Sequence, residues 1–109
     1  MKRILIIDDA LDVARLLRSA ILTIDSNLQV AVVPSGEEAL LEVIHGKPDL
    51  VIADVNLPGI SGLDLINKLI KKFSGLCIIV MNGSLDPEVE KQAKELQVEA
   101  FLHKPMDIN

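Results

Sequence analysis

The stretch from Leu50 to Gly59 constrains the fold of this 109-residue chain more than any other. Four apolar residues, Leu50–Ala53, run directly into the carboxylate of Asp54, and a Leu-Pro-Gly turn follows soon after. A continuous apolar run of this length is typical of a strand buried on both faces, as in a parallel sheet covered by helices. Asp54 then lies at the carboxyl end of that strand, where ligands and reacting groups gather in open α/β sheets. Taken alone, Asp54 is more simply a solvated residue that ends a strand.

Four other segments have strand character, and helical patterns separate them. The further strands are predicted at Ile4–Ile7, Leu28–Val33, Leu76–Met81 and Ala100–Leu102. The four helices are predicted over Ala10–Ile24, after the capping-box pattern Ser35–Glu38, from Ser61, and from Asp86-Pro87. Strands that alternate with helices at this spacing form βα units and a parallel sheet with right-handed crossovers. We therefore expect an α/β fold, with five parallel strands and helices on both faces, in one domain over residues 1–109.

The chain ends at Met106–Asn109, where a fifth helix would begin. Four helices leave one face of a five-stranded parallel sheet short of cover. We therefore expect the C-terminal fifth helix to be missing or truncated and aliphatic surface to be exposed on the sheet. Large exposed apolar patches favour association, so we expect self-association. A homodimer through the uncovered sheet face is one explanation for the missing helix, and a swapped or displaced element is another.

Charge and hydropathy exclude several classes of function. The net charge of −5 argues against a nucleic-acid-binding surface, which is normally basic. No apolar run approaches the roughly 20 residues needed to span a bilayer. Asp8 and Asp9 end the N-terminal apolar run too early for a signal peptide, and the single cysteine excludes an internal disulfide. We expect a cytoplasmic protein without membrane or direct nucleic-acid contacts.

Polar side chains follow most of the predicted strands, and the carboxyl ends of parallel strands share one edge of the sheet. The residues placed there are Asp8, Asp9, Asp54, Asn82, Gly83 and Lys104. Carboxylates that share a small site repel one another, and a hard divalent cation such as Mg²⁺, which prefers oxygen ligands, relieves this repulsion. A carboxylate beside Mg²⁺ and a lysine is suited to phosphoryl transfer, with the aspartate as nucleophile.

The sequence resembles a known family, the CheY-like response regulator receiver domains of two-component signalling. The matching segments are Ile6–Asp9, Ser35–Leu40, Asp49–Gly59 with Gly62, and Phe101–Pro105. Each is weak alone, but together they span nearly the whole chain in the family's order and spacing. The resemblance implies a flavodoxin-like, doubly wound sheet with strand order 2-1-3-4-5.

The resemblance also implies a role for each matching site residue. Asp54 would be the phosphoacceptor, phosphorylated by a histidine kinase or a phosphotransfer protein. Mg²⁺ would be held by Asp8, Asp9, Asp54 and the backbone carbonyl of Asn56. The domain would assist its own phosphorylation and dephosphorylation without being an enzyme in its own right.

The resemblance gives the remaining matched positions roles in catalysis and switching. Lys104 would pair with the phosphoryl group, and the Lys104-Pro105 peptide bond would be cis. Asn82 and Gly83 would adjoin the phosphoryl group at the end of the fourth strand. Phe101 would be the aromatic switch residue, whose rotamer tracks phosphorylation; it is equally well explained as an ordinary core aromatic.

The sequence departs from the family pattern in ways that keep alternatives open. Asn82 stands where the family usually has Thr or Ser; its amide can donate to a phosphoryl oxygen but is larger and need not retract as a hydroxyl does. Gln97 replaces the glycine that usually ends the fourth helix. Asn82 and the expected loss of the fifth helix suggest an alternative, a pseudo-receiver that serves as a dimerisation or docking module.

A second alternative is a phosphohydrolase of the haloacid-dehalogenase type, because Asp54-Val55-Asn56 is similar to an Asp-x-Asp nucleophile motif. Against it, Asn56 cannot serve as the second carboxylate, and the segment follows the third strand and not an N-terminal one.

Overall fold

The computed structural model describes residues 2–57, 59–83, 87–96 and 98–103. Its strands are β1 (Arg3–Ile7), β2 (Gln29–Val33), β3 (Leu50–Asp54), β4 (Cys77–Asn82) and β5 (Ala100–His103). Its helices are α1 (Leu11–Ile24), α2 (Gly36–Glu42), α3 (Gly62–Lys72) and α4 (Pro87–Glu95). The five strands form one parallel sheet in the order β2-β1-β3-β4-β5, which confirms the predicted α/β fold and strand order. Lys104, Pro105, Gln97 and the predicted place of a fifth helix lie outside the described residues.

The central strands are apolar on both sides because helices cover both faces of the sheet. On one face, Leu5 and Ile7 of β1 share a core with side chains from α2, α3 and α4. On the other face, Ile4 and Ile6 share a core with Ala14 and other residues of α1. Within the described ranges, three helices therefore pack on one face and one helix on the other.

Strand register aligns the ends of β1, β3 and β4 along one edge of the sheet. Ile7 pairs with Ala53, so the residue that follows each of them stands at the same level. Asp54 pairs with Met81, which places Asn82 one residue further along. This edge is the one predicted to carry the functional site.

Helix α1 buries a narrower row of side chains than the sequence pattern predicts. Ala14, Leu17 and Ile21 pack against the sheet as expected, at intervals of three and four residues. The apolar spacing of the sequence predicts that Val13 and Ile24 also lie on this stripe, but they are 38% and 86% exposed. At 100° per residue, Val13 is turned away from Ala14, and Ile24 is the last residue of the helix.

Helix α2 ends earlier than its apolar pattern indicates. The apolar spacing of the sequence predicts that Ile44 packs on the same side as Val43, but Val43 is 4% exposed and Ile44 is 67% exposed. Beyond Glu42 the backbone N–H groups of residues 44–46 donate to carbonyls three residues back, which tightens the turn. The tighter winding moves Ile44 off the row that faces the sheet.

None of the helices in the described part of the chain is both long enough and apolar enough to cross a membrane.

Candidate functional site

The carboxyl ends of β1 and β3 bring three carboxylates together. Asp8, Asp9 and Asp54 each offer an oxygen atom, and these oxygen atoms all lie within 4.8 Å of one another. Asp8 is fully buried and Asp54 is 5% exposed, whereas Asp9 faces solvent. The strand ends therefore bring together the three carboxylates that the sequence predicted to share a site.

Two of these carboxylates are held by backbone N–H groups two residues further along the chain. Asp8 Oδ1 accepts a hydrogen bond of 2.9 Å from the N–H of Ala10. Asp54 Oδ1 accepts one of 2.9 Å from the N–H of Asn56. Such local side-chain to backbone bonds orient a carboxylate where a strand passes into a loop. The orientation of both acids is therefore set by the fold.

The three oxygens suit a hard divalent cation. Like charges this close repel one another, most strongly where two of the groups are shielded from water. Carboxylate oxygens are the ligands that Mg²⁺ prefers, and one or two of them commonly hold the ion together with several waters. The donor set on Asp8, Asp9 and Asp54 thus fits Mg²⁺.

The end of β4 contributes a buried amide. Asn82 is 1% exposed, and its Oδ1 accepts a hydrogen bond of 3.4 Å from Nδ2 of Asn56. Gly83 follows it at the surface. The sequence places both asparagines at the site but does not predict this contact. The one feature of the sequence that points to the contact is the occurrence of Asn at the ends of two neighbouring strands.

Helix α3 approaches the strand that carries Asp54 very closely. The Gly62 N–H donates to the carbonyl of Val55 at 3.1 Å. A Cβ atom built at Gly62 would lie 2.3 Å from the backbone oxygen of Asp54. Only glycine fits at this contact. This gives a physical reason why Gly62 is among the residues that carry the resemblance to the receiver-domain family.

A residue that sequence reasoning did not assign to the site, Glu37 in the first turn of α2, holds the loop that follows β3. Its Oε1 accepts a hydrogen bond of 3.1 Å from the N–H of Ile60.

The capping box predicted at the start of α2 is half formed: Ser35 Oγ accepts a hydrogen bond from the Glu38 N–H at 3.2 Å. The Glu38 side chain makes no hydrogen bond among the described residues, and its neighbour Glu37 binds the loop instead.

Phe101 lies in the middle of β5 and pairs with Val80 of β4. It is half-buried and packs against the core beneath α2, α3 and α4. This position is compatible with both roles that the sequence left open, a switch residue and a core aromatic. Lys104 and Pro105 lie outside the described residues, so the lysine contact and the cis peptide bond stay predictions.

Comparison with known proteins gives a single family. The sequence profile described as "Response regulator receiver domain" matches residues 4–109. A protein-glutamate methylesterase/protein-glutamine glutaminase from Syntrophus aciditrophicus is 39% identical over 108 residues, which cover 96% of this chain and 31% of that relative. The chain thus spans about a third of the length of that curated relative.

Solved structures share the fold. A CheY-like receiver domain protein from Methanospirillum hungatei superposes with a TM-score of 0.90 at 23% identity, over 99% of this chain and 85% of that one. The response regulator TrrA from Thermotoga maritima, solved in complex with Mg²⁺ and BeF, superposes with a TM-score of 0.83 at 28% identity. That match covers 100% of this chain and 91% of TrrA.

Proposed function

The chain belongs to the response regulator receiver domain family, and we propose that residues 1–109 act as the phosphoacceptor domain of a phosphorelay in which Asp54 receives the phosphoryl group. The observation that carries the proposal is the cluster of Asp54 with Asp8 and Asp9, whose oxygens lie within 4.8 Å of one another. Asp54 is the member of this cluster at the end of the central strand β3, with one oxygen already engaged by the N–H of Asn56.

In the proposed reaction, an Asp54 carboxylate oxygen attacks the phosphorus of a phosphohistidine, the P–N bond breaks, and an acyl phosphate forms. Asp8, Asp9 and the backbone carbonyl of Asn56 would hold Mg²⁺ together with Asp54. When bound, the ion offsets negative charge on the transferring oxygens. Lys104 would pair with the phosphoryl group, and Asn82 and Gly83 would border it at the end of β4.

The phosphodonor in this proposal is a histidine kinase or a phosphotransfer protein, and the domain acts in the cytoplasm. Phosphorylation would switch a protein-interaction surface through Phe101. We also propose that the chain self-associates through the sheet face that carries α1. The methylesterase and glutaminase activities named for the Syntrophus relative belong to that protein as a whole and are no part of this proposal.

A second candidate, a pseudo-receiver that docks or dimerises with little phospho-switching, is favoured by one observation. Asn82 stands where the family usually has a hydroxyl, and its buried amide is already hydrogen bonded to Asn56. A side chain that is engaged in this way is less free to move toward a phosphoryl group. Phosphorylation of Asp54 without a conformational response would support this second candidate.

The test is incubation with Mg²⁺ and acetyl phosphate, followed by intact-mass spectrometry, and a parallel NMR titration with beryllofluoride. We expect one phosphoryl group to be added in the wild type and in Asp25→Asn, and none in Asp54→Asn. Asp25 is a suitable control because it is exposed and follows α1 at the opposite end from the site.

Absence of the adduct in the wild type would refute the proposal. Steady hydrolysis of a generic phosphomonoester that depends on Asp54 would favour the phosphohydrolase alternative instead.

A further inference from the structure

Asn56 is hydrogen bonded at two points where the chain leaves β3. Its backbone N–H donates to Asp54 Oδ1 at 2.9 Å, and its side-chain Nδ2 donates to Asn82 Oδ1 at 3.4 Å. The first bond is local to β3, whereas the second spans 26 residues of sequence to β4. Asn56 thus joins the ends of β3 and β4, two of the three strands that border the site.

The two partners differ in burial, which shows which of them is the fixed one. Asn82 is 1% exposed at the end of a strand, whereas Asn56 is exposed in a loop. A buried side chain on a paired strand is confined by its neighbours, while an exposed loop side chain stays in place only if something holds it. Asn82 is therefore the anchor, and Asn56 is the residue that it holds.

We propose that Asn82 is a positioning residue that acts through Asn56: its buried amide holds the start of the β3–α3 loop (residues 55–61, of which 58 is not described) in the conformation that binds the divalent ion. This inference rests on the proposed function, because the backbone carbonyl of Asn56 is a proposed metal ligand. It gives Asn82 a role different from that of a hydroxyl that moves onto the phosphoryl group.

The chemistry of the side chain explains why asparagine can do this and threonine cannot. The asparagine oxygen is one covalent bond further from the backbone than a threonine hydroxyl, so it reaches across to the loop. Each amide offers both a donor and an acceptor, so the pair can bond with either amide as the donor. A threonine at position 82 would leave the Asn56 side chain without this partner.

The first arm of the test needs no metal. Amide hydrogen exchange measured by NMR on the metal-free protein should show less protection of the residue-56 amide, relative to its intrinsic rate, in both Asn82→Thr and Asn56→Ala. Asn27→Ala should leave exchange at Asn56 unchanged, because Asn27 is an exposed turn residue outside the site. Exchange that is unchanged in Asn82→Thr would overturn the inference. Asn56 is exposed, so its replacement by Ala preserves the fold and keeps the comparison sound.

The second arm measures Mg²⁺ affinity of the unphosphorylated protein by calorimetry. One hydrogen bond contributes about 1 kcal/mol, so we expect Asn82→Thr and Asn56→Ala each to weaken Mg²⁺ binding about fivefold. The double variant should bind no more weakly than Asn56→Ala, since both changes break the same link. Additive losses, or wild-type affinity in Asn82→Thr, would contradict the inference.

The third arm separates positioning from direct action on the phosphoryl group. Asn82→Thr should need about fivefold more Mg²⁺ than the wild type to reach half of its own maximal rate of phosphorylation by acetyl phosphate, as Asn56→Ala should, because metal affinity has been lost. A rate that stays low at saturating Mg²⁺ would show that Asn82 acts on the phosphoryl group itself. If the wild type binds no Mg²⁺ in an Asp54-dependent way, the proposed function fails. Hydrogen exchange on the metal-free protein then still tests the hydrogen bond between Asn82 and Asn56 by itself.

Discussion

Gly62 is the residue that allows α3 to begin against the strand that carries Asp54. In an exposed helix, replacing glycine by alanine stabilises a protein by about 1 kcal/mol. At Gly62 the added methyl group would lie 2.3 Å from the Asp54 backbone oxygen and 2.4 Å from Val55 Cα, and neither atom can move without moving β3. We therefore expect Gly62→Ala to lower the free energy of unfolding by about 3 kcal/mol, measured by urea denaturation.

Gly75→Ala is the matched control for that prediction. A Cβ at Gly75 would meet no atom of the described residues within 4 Å, so the cost expected there comes from its φ of +77°. That conformation costs an L-residue about 1 kcal/mol. A Gly62→Ala variant that is no less stable than Gly75→Ala would contradict the close contact between α3 and β3.

At the level of single residues, the sequence predicts which acids meet but not how the site is held together. Asp8, Asp9 and Asp54 were predictable because parallel strands end at one edge, and this needs no knowledge of side-chain packing. The bond between Asn56 and Asn82 was not predictable, because it depends on the path of a loop and on two side-chain conformations. The contact of Glu37 with Ile60 was missed for the same reason.

At the level of elements, strand positions follow from apolar runs, while helix ends and faces depend on local winding. The strand order came from the resemblance. The strands themselves were predicted from apolar runs, which identify a strand even when its ends are placed slightly wrongly. The exposure of Ile44 after α2 and of Val13 in α1 could not be read from spacing alone. A shift of one residue moves a side chain by about 100° around a helix, and each residue of tighter 3₁₀ winding adds about 20° more.

Glu37 links two elements, α2 and the β3–α3 loop. Its carboxylate accepts from the Ile60 N–H at 3.1 Å, and nothing else in the described part of the chain is bonded to that N–H. We expect Glu37→Ala to lower the free energy of unfolding by about 1 kcal/mol and to speed hydrogen exchange at the Ile60 amide. Urea denaturation and NMR would measure the two effects.

Glu38→Ala is the control for Glu37, since both are exposed residues in the first turn of α2 and carry the same charge. Both substitutions remove a favourable charge from the helix N-terminus, and only one removes the bond to the loop. Equal exchange at Ile60 in the two variants would show that Glu37 does not hold the loop.

At the scale of the whole molecule, the two faces of the sheet are covered unequally by the described residues. Helices α2, α3 and α4 pack on one face, and α1 packs on the other. The sheet residues Ile52 and Met81 on the α1 side are buried, so the exposed apolar side chains on this side lie on α1 itself and on β5. They include Leu16, 58% exposed, Ile24, 86% exposed, and Leu102, 40% exposed.

Burial of these side chains is the driving force expected for self-association through this face. Apolar area removed from water contributes about 25 cal/mol per Å², and a stable interface needs roughly 800 Å² from each partner.

Sedimentation velocity of the wild type should therefore show a weight-average mass that rises toward that of a dimer between low and high micromolar concentration. Leu16→Glu should keep the chain monomeric over the same range, because it places a charge on α1, at the face proposed to associate. Leu41→Glu should dimerise as the wild type does, since Leu41 is 62% exposed but lies on α2, across the sheet. A monomeric wild type at every concentration, or equal effects of the two substitutions, would exclude association through α1.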